Sequence, residues 1–161
     1  MALFLSLFIF GADDMLIFRV KGEESQILQI TKDDIMWRYF AAFGYAAVAL
    51  TVIAALAMLL SIFAENSIGP IVATMSIIVF LTILSTMSIP LFNTIKPYLF
   101  TTHMVAWKEF FDIQVNENNE TIKGSIEHVD KIVRSVTVLS IHIVLFFAAS
   151  LWVFKKKDVL S

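Results

Sequence analysis

Three histidines, His103, His128 and His142, are the side chains best suited to acid–base or metal chemistry in this sequence. They are far apart along the chain, and only His142 falls inside a long apolar run. An ionisable group within a bilayer is expensive, so His142 is a candidate for an ion path, a proton relay or a ligand contact. The plainer reading is a neutral imidazole hydrogen-bonded to a neighbouring helix, and Ser135, Ser140 and Ser150 on its own helix favour it. Arg134 stands near the start of the same run, where its long stem lets the guanidinium snorkel to the outer interface. Trp107 and Trp152 suit aromatic belts at the two membrane surfaces. None of these residues belongs to a recognisable reaction motif. There is no G-x-x-x-x-G-K-[ST] loop to cradle a phosphate, and no H-E-x-x-H or G-x-S-x-G. The absence of cysteine excludes disulfides and thiolate metal sites. No catalytic residue, cofactor site or metal site is therefore expected. A net charge of -2 gives no footprint for nucleic acid. Asn119-Glu120-Thr121 fits a glycosylation sequon, a three-residue match that is irrelevant in a bacterial protein.

The elements that would position these residues are membrane helices. Of the 161 residues, 58% are hydrophobic and only 16% charged, beyond the range of ordinary soluble domains. The excess is concentrated in runs, and a bilayer core about 30 Å thick needs roughly 20 apolar helical residues. Residues 37–63, 68–87 and 133–154 meet that length, so the expected fold is an all-α polytopic transmembrane bundle forming one domain. Thr31 and Asp34 have capping-box spacing ahead of the first full span, and Asp33 and Asp34 suit the positive end of its dipole. Inside that span Gly44, Ala47, Thr51 and Ala55 recur at three- and four-residue spacing, a small-residue stripe that lets another helix approach closely. Ala64-Glu65-Asn66-Ser67 makes a tight connection, with Asn66 or Ser67 as cap and Gly69-Pro70 in the next helix's first turn. The two helices must then be antiparallel.

The remaining segments read as outer and aqueous. Residues 12–36 form an outer loop, in which Leu16 to Val20 and Gln26 to Ile30 flank Lys21-Gly22-Glu23-Glu24 as a short β-hairpin. Residues 90–132 form an outer segment. Within it, Tyr98 to Ile113 is expected to be an amphipathic helix, interfacial or re-entrant, with Phe100, Met104, Trp107 and Phe111 on one face. Lys155, Lys156 and Lys157 follow the last span directly and place the C-terminus in the cytoplasm, so the protein is a multi-pass component of the cell's inner membrane. Residues 1–11 cover only about 15 Å as helix, a partial span.

The chain resembles the C-terminal part of type-2 ABC-transporter permeases, the six-helix membrane subunits of many bacterial exporters. The resemblance lies in Leu59-Leu60-Ser61-Ile62-Phe63-Ala64-Glu65-Asn66-Ser67-Ile68-Gly69-Pro70, similar to the family's junction between its fourth and fifth spans. It continues in Ile95-Lys96-Pro97-Tyr98-Leu99-Phe100-Thr101-Thr102-His103, like the outer segment before the family's last span, and ends in Phe154-Lys155-Lys156-Lys157-Asp158-Val159-Leu160. The resemblance implies a transport function without catalysis in this chain. It implies a separate ABC ATPase subunit, a second permease unit in a homo- or heterodimer, and a translocation path within the bilayer. The family's main cytoplasmic coupling element lies upstream of its third span and has no counterpart here. Together with the partial span this suggests a piece of a longer permease that would not stimulate an ATPase alone. The alternatives are a non-transport membrane scaffold or assembly protein, or a small membrane enzyme using His103 or His142.

Overall fold

The computed structural model describes residues 14–21, 24–64, 66, 68–116 and 121–158. The partial span at residues 1–11, the tip of the first hairpin, Ser67 and the sequon residues Asn119 and Glu120 lie outside the described residues. The elements run β1 (Met15–Lys21), β2 (Glu24–Ile30), α1 (Lys32–Ser61), α2 (Ile68–Thr86), α3 (Phe100–His103) and α4 (Val129–Asp158). Three short 3-10 helices, Pro90–Phe92, Lys96–Tyr98 and Ala106–Phe111, flank the short α3. The architecture is mostly helical, and α1, α2 and α4 are long and apolar enough to cross a membrane.

The expected hairpin is present. β1 and β2 pair antiparallel, with Met15 opposite Ile30 and Lys21 opposite Glu24. Alternation buries Leu28 and Ile30 and leaves Ile27 and Gln29 exposed. Ile30 then joins Ile35 and Ile113 in a small core, with Ile17, Met36 and Tyr39 against it. The hairpin is thus stapled both to the start of α1 and to the outer segment. The outer loop is shorter than 12–36, because α1 begins at Lys32.

The capping box does not form. Thr31 occupies the N-cap position in extended conformation, but its side chain makes no capping bond. Asp14 takes that role from across the hairpin, its Oδ1 accepting the Lys32 N–H at 2.8 Å and its Oδ2 accepting from Gln29 Nε2. Asp34 is turned inward instead, for reasons given below. At the other connection the cap is as expected: Asn66 Oδ1 accepts the Gly69 N–H at 2.9 Å, and Pro70 sits in the first turn of α2.

Thirty residues make α1 and α4 each about 45 Å long, some 15 Å more than the hydrocarbon core. The first turns of both helices therefore rise beyond the bilayer core. Below them α1 packs on both α2 and α4. Tyr45, Ala49, Val52 and Leu56 of α1 meet Ile132 and Leu139 of α4, and Phe100 completes the cluster. The outer faces are apolar, with Ile71, Val72, Met75, Val79 and Phe80 of α2 and Val144, Leu145 and Leu151 of α4 exposed. Such faces suit lipid, where water does not penalise them. At the far end Lys157 Nζ donates to the Ile62 carbonyl at 3.1 Å, tying the basic end of α4 to the end of α1.

The amphipathic helix expected over residues 98–113 is broken. Val105, at φ -92° and ψ 0°, separates α3 from the following 3-10 turn. An unbroken helix would hold Phe100, Met104, Trp107 and Phe111 on one stripe. The break lets Phe100 enter the core while Trp107 stays exposed, stacked edge-on against Phe111 at 6.3 Å.

Candidate functional site: polar anchors of a re-entrant segment

Polar side chains inside the spans follow one rule. With no water to bond, a hydroxyl returns to the carbonyl one turn back. Thr51 donates to Ala47, Thr74 to Pro70, Thr137 to Val133 and Ser150 to Phe146, all at 2.7–2.8 Å. His142 obeys it too. Its Nδ1 lies 2.9 Å from the Val138 carbonyl, which can only accept, so this nitrogen carries the proton. The partner is on its own helix, not on a neighbouring one as the sequence suggested. Its ring packs against Phe100 and Phe146, at 5.6 and 5.8 Å between centroids.

Those ring contacts set the depth of the outer segment. Residues 142 and 146 stand near the middle of α4, and Phe100 reaches both rings. The chain then returns to the side it came from. Lys96 Nζ donates to the Met87 carbonyl at the end of α2, and the Glu127 N–H donates to the Asp112 carbonyl just before α4. Residues 96–111 thus enter and leave the bundle on one face. The segment dips into the bundle and turns back, the geometry expected of the re-entrant form.

Descending backbone in a bilayer needs partners for its polar groups. Three spans supply them. Tyr45 of α1 donates its hydroxyl to the His103 carbonyl, and Thr101 donates to the Leu81 carbonyl of α2 at 3.2 Å. Buried His103 lies between two partners, each at 2.9 Å: Nε2 faces the Pro97 carbonyl and Nδ1 faces Ser135 Oγ of α4. Since Pro97 can only accept, Nε2 holds a proton, and in the neutral ring Nδ1 accepts from Ser135. His103 therefore staples α3 to α4. Ser135→Ala is expected to leave that nitrogen buried without a partner and to cost about 1–3 kcal/mol. Unfolding of the purified protein in mild micelles measures it, and a loss well below 1 kcal/mol would remove this bond from the account.

The second anchor lies in the first turns of α1, where Arg38 is fully buried. Its Nε and Nη2 both donate to Asp34 Oδ2, at 3.2 and 2.8 Å, two charge-assisted bonds converging on one carboxylate oxygen. Nη1 donates to the Phe110 carbonyl at 2.5 Å and Nη2 also to the Ser125 carbonyl at 2.7 Å. Asp34 Oδ1 accepts from Trp37 Nε1 at 2.6 Å and from the Gly124 N–H at 3.1 Å. Gly124 has φ 72°, a left-handed turn that presents its N–H to the carboxylate and favours glycine. One ion pair on α1 thus holds the stretch from Phe110 to Ser125 at both of its ends. Neither residue was assigned this role from sequence, where Asp34 was read as the second member of a capping box with Thr31. The available signal was their i, i+4 spacing at the head of a helix.

The small-residue stripe divides. Ala55 is buried within the chain, whereas Gly44, Ala47 and Thr51 are exposed. Packing inside the chain uses the adjacent face of Tyr45, Ala49, Val52 and Leu56, because these larger residues fill the space to α4. Close to the outer segment, Glu109, Asp112 and His128 hold ligand atoms within 4.8 Å of one another and could present three ligands to a cation. Sequence spacing gave no sign of this, as His128 joins through the fold. Lys131 stands 3.6 Å from Glu109 and offsets part of its charge, and His128 Nε2 lies 3.9 Å from Asp112.

A family model described as "Protein of unknown function (DUF2705)" matches residues 1–160. No curated protein and no solved structure matches the chain.

Proposed function

The chain belongs to the DUF2705 family, and from its own residues we propose that it is a membrane-spanning permease subunit of an ATP-driven ABC transporter, an exporter, working with a separate ATPase subunit. The observation that carries the reading is the re-entrant segment. It hangs between the last two spans on bonds from Tyr45, Leu81 and Ser135, at the face opposite the basic end of α4. A short broken helix held within a bundle can close a path at one membrane face and open it by shifting a few side-chain bonds. A scaffold has no need for backbone at that depth. Against the enzyme reading, buried His103 has both ring nitrogens engaged, Nδ1 with Ser135 and Nε2 with the Pro97 carbonyl.

Energy must come from outside this chain, because its sequence holds no phosphate-cradling loop. In this reading Lys155, Lys156 and Lys157 lie in the cytoplasm, the α1–α2 connection faces the ATPase side, and the outer segment faces away from it. A second permease unit packs on the exposed part of the stripe, Gly44, Ala47 and Thr51. Ala47→Phe is then expected to leave the monomer's unfolding unchanged while reducing self-association in micelles. Unaltered association would assign that stripe to lipid.

The test of the reading is co-expression with any P-loop protein that a neighbouring reading frame encodes. Co-purification of the two, lost on deletion of the ATPase's permease-facing surface, is the expected result. A chain that purifies alone and acts without nucleotide would overturn it.

A further inference from the structure

A pocket of about 370 Å³ opens beside the re-entrant segment, between its turns and the start of α4. Its wall carries Lys96, Lys108, Lys131 and Arg134 against one carboxylate, Glu109. Two of these cations are already engaged, Lys96 with the Met87 carbonyl and Lys131 with Glu109. Lys108 and Arg134 have no partner among the described residues, and both are exposed. The hydroxyl of Thr102, on the same wall, is buried and has no hydrogen-bond partner among the described residues. Glu109 Oε2, on that wall too, is likewise buried without a hydrogen-bond partner. Pro97, Val105 and Ala106 supply an apolar flank.

We propose that this pocket binds a phosphate-bearing anion at the membrane surface, either the headgroup of an anionic phospholipid or a free phosphate. Clustered cations match the several oxygens of a phosphate better than a single carboxylate. The site lies at the head of α4, which rises from the bilayer core into the headgroup layer, where Arg134 would otherwise snorkel alone. A ligand here bridges Lys108 of the re-entrant segment to Arg134 of α4, and so clamps the segment down. Nothing in this inference rests on the transport reading.

The experiment titrates the purified full chain, in uncharged detergent, with short-chain phosphatidylglycerol, short-chain phosphatidylcholine and inorganic phosphate, reading the thermal unfolding midpoint. Phosphatidylglycerol is expected to raise it saturably and phosphatidylcholine to leave it nearly unchanged. Lys108→Gln with Arg134→Gln should demand about tenfold more ligand for half the effect. Both side chains are exposed, so the unliganded midpoint should stay at the wild-type value. Lys131→Gln is the second variant should that pair misfold. Lys155→Gln with Lys156→Gln, at the other membrane face, should titrate as wild type. Saturation by phosphatidylglycerol alone identifies a lipid headgroup, and saturation by inorganic phosphate with the same dependence on Lys108 and Arg134 identifies a free anion. Equal responses to the charged and zwitterionic lipids would overturn the site, as would equal losses in the variants at the two faces.

Discussion

Arg38→Ala is expected to lower the stability of the purified protein by about 3–5 kcal/mol, the range for breaking a buried ion pair on one side. The loss has two sources. Asp34 would remain as a buried carboxylate with only Trp37 and Gly124 as donors. The Phe110 and Ser125 carbonyls would lose the guanidinium that binds them. Denaturant unfolding in mild micelles measures the first. The second is local, so trypsin cleavage at exposed Lys123, beside Gly124, should speed up in the variant before the spans unfold. Pairing Arg38→Met with Asp34→Asn should restore much of the stability, since an amide oxygen still serves Trp37 and Gly124 without a buried charge. A single-variant loss under about 1 kcal/mol, with cleavage at Lys123 unchanged, would mean that the pair holds nothing in place.

The second large effect is expected at Phe100. Phe100→Asp puts a carboxylate among Val52, Leu139 and the rings of His142 and Phe146, at the middle of a span. An aspartate at such depth costs about 3 kcal/mol, enough to raise the undocked population of the segment about 100-fold. Phe100→Leu, which keeps apolar volume, should change little. The readout is the reaction of a cysteine introduced at half-buried Met104 with an impermeant maleimide. The Asp variant should react far faster than the wild-type background. Equal rates would place Phe100 outside the core and remove the re-entrant geometry.

Much of this fold was legible in the sequence, because its strongest signal is apolar run length. Residues 37–63, 68–87 and 133–154 correspond to α1, α2 and α4 to within a few residues, apart from the polar leading turns of α1 and α4. Those turns carry Asp33, Asp34, Asp130 and Lys131, which a hydropathy window excludes even though the helix continues through them. The hairpin was legible from alternation around a turn, and Asn66 from its position before Gly69-Pro70. The outer segment was read only in part. Its apolar stripe favoured one helix, but the backbone trades that stripe for the bonds to Tyr45, Leu81 and Ser135, partners supplied by distant parts of the chain.

The candidate site was less legible for the same reason. His142 stood out by its place in a span, yet it is satisfied by a carbonyl of its own helix. The anchors that join elements, Arg38, His103 and Tyr45, find partners 32 to 87 residues away. No local spacing encodes such pairs. The stripe from Gly44 to Ala55 was correct as a pattern of small residues, but the pattern does not say which neighbour a face meets. Within the chain that neighbour touches only Ala55 of the four at buried depth.

The claim underlying the whole account is that residues 96–111 enter and leave the membrane from one face, opposite the end of α4. The chain has no cysteine, so single introduced cysteines report without background. Asn93 and Asn116 flank the segment and are exposed, and Lys156 marks the end of α4. In intact cells an impermeant maleimide should label cysteines at residues 93 and 116 alike, and should label residue 156 only after permeabilisation. Labelling of residue 93 and residue 116 from opposite sides would make the segment a full span and contradict the account.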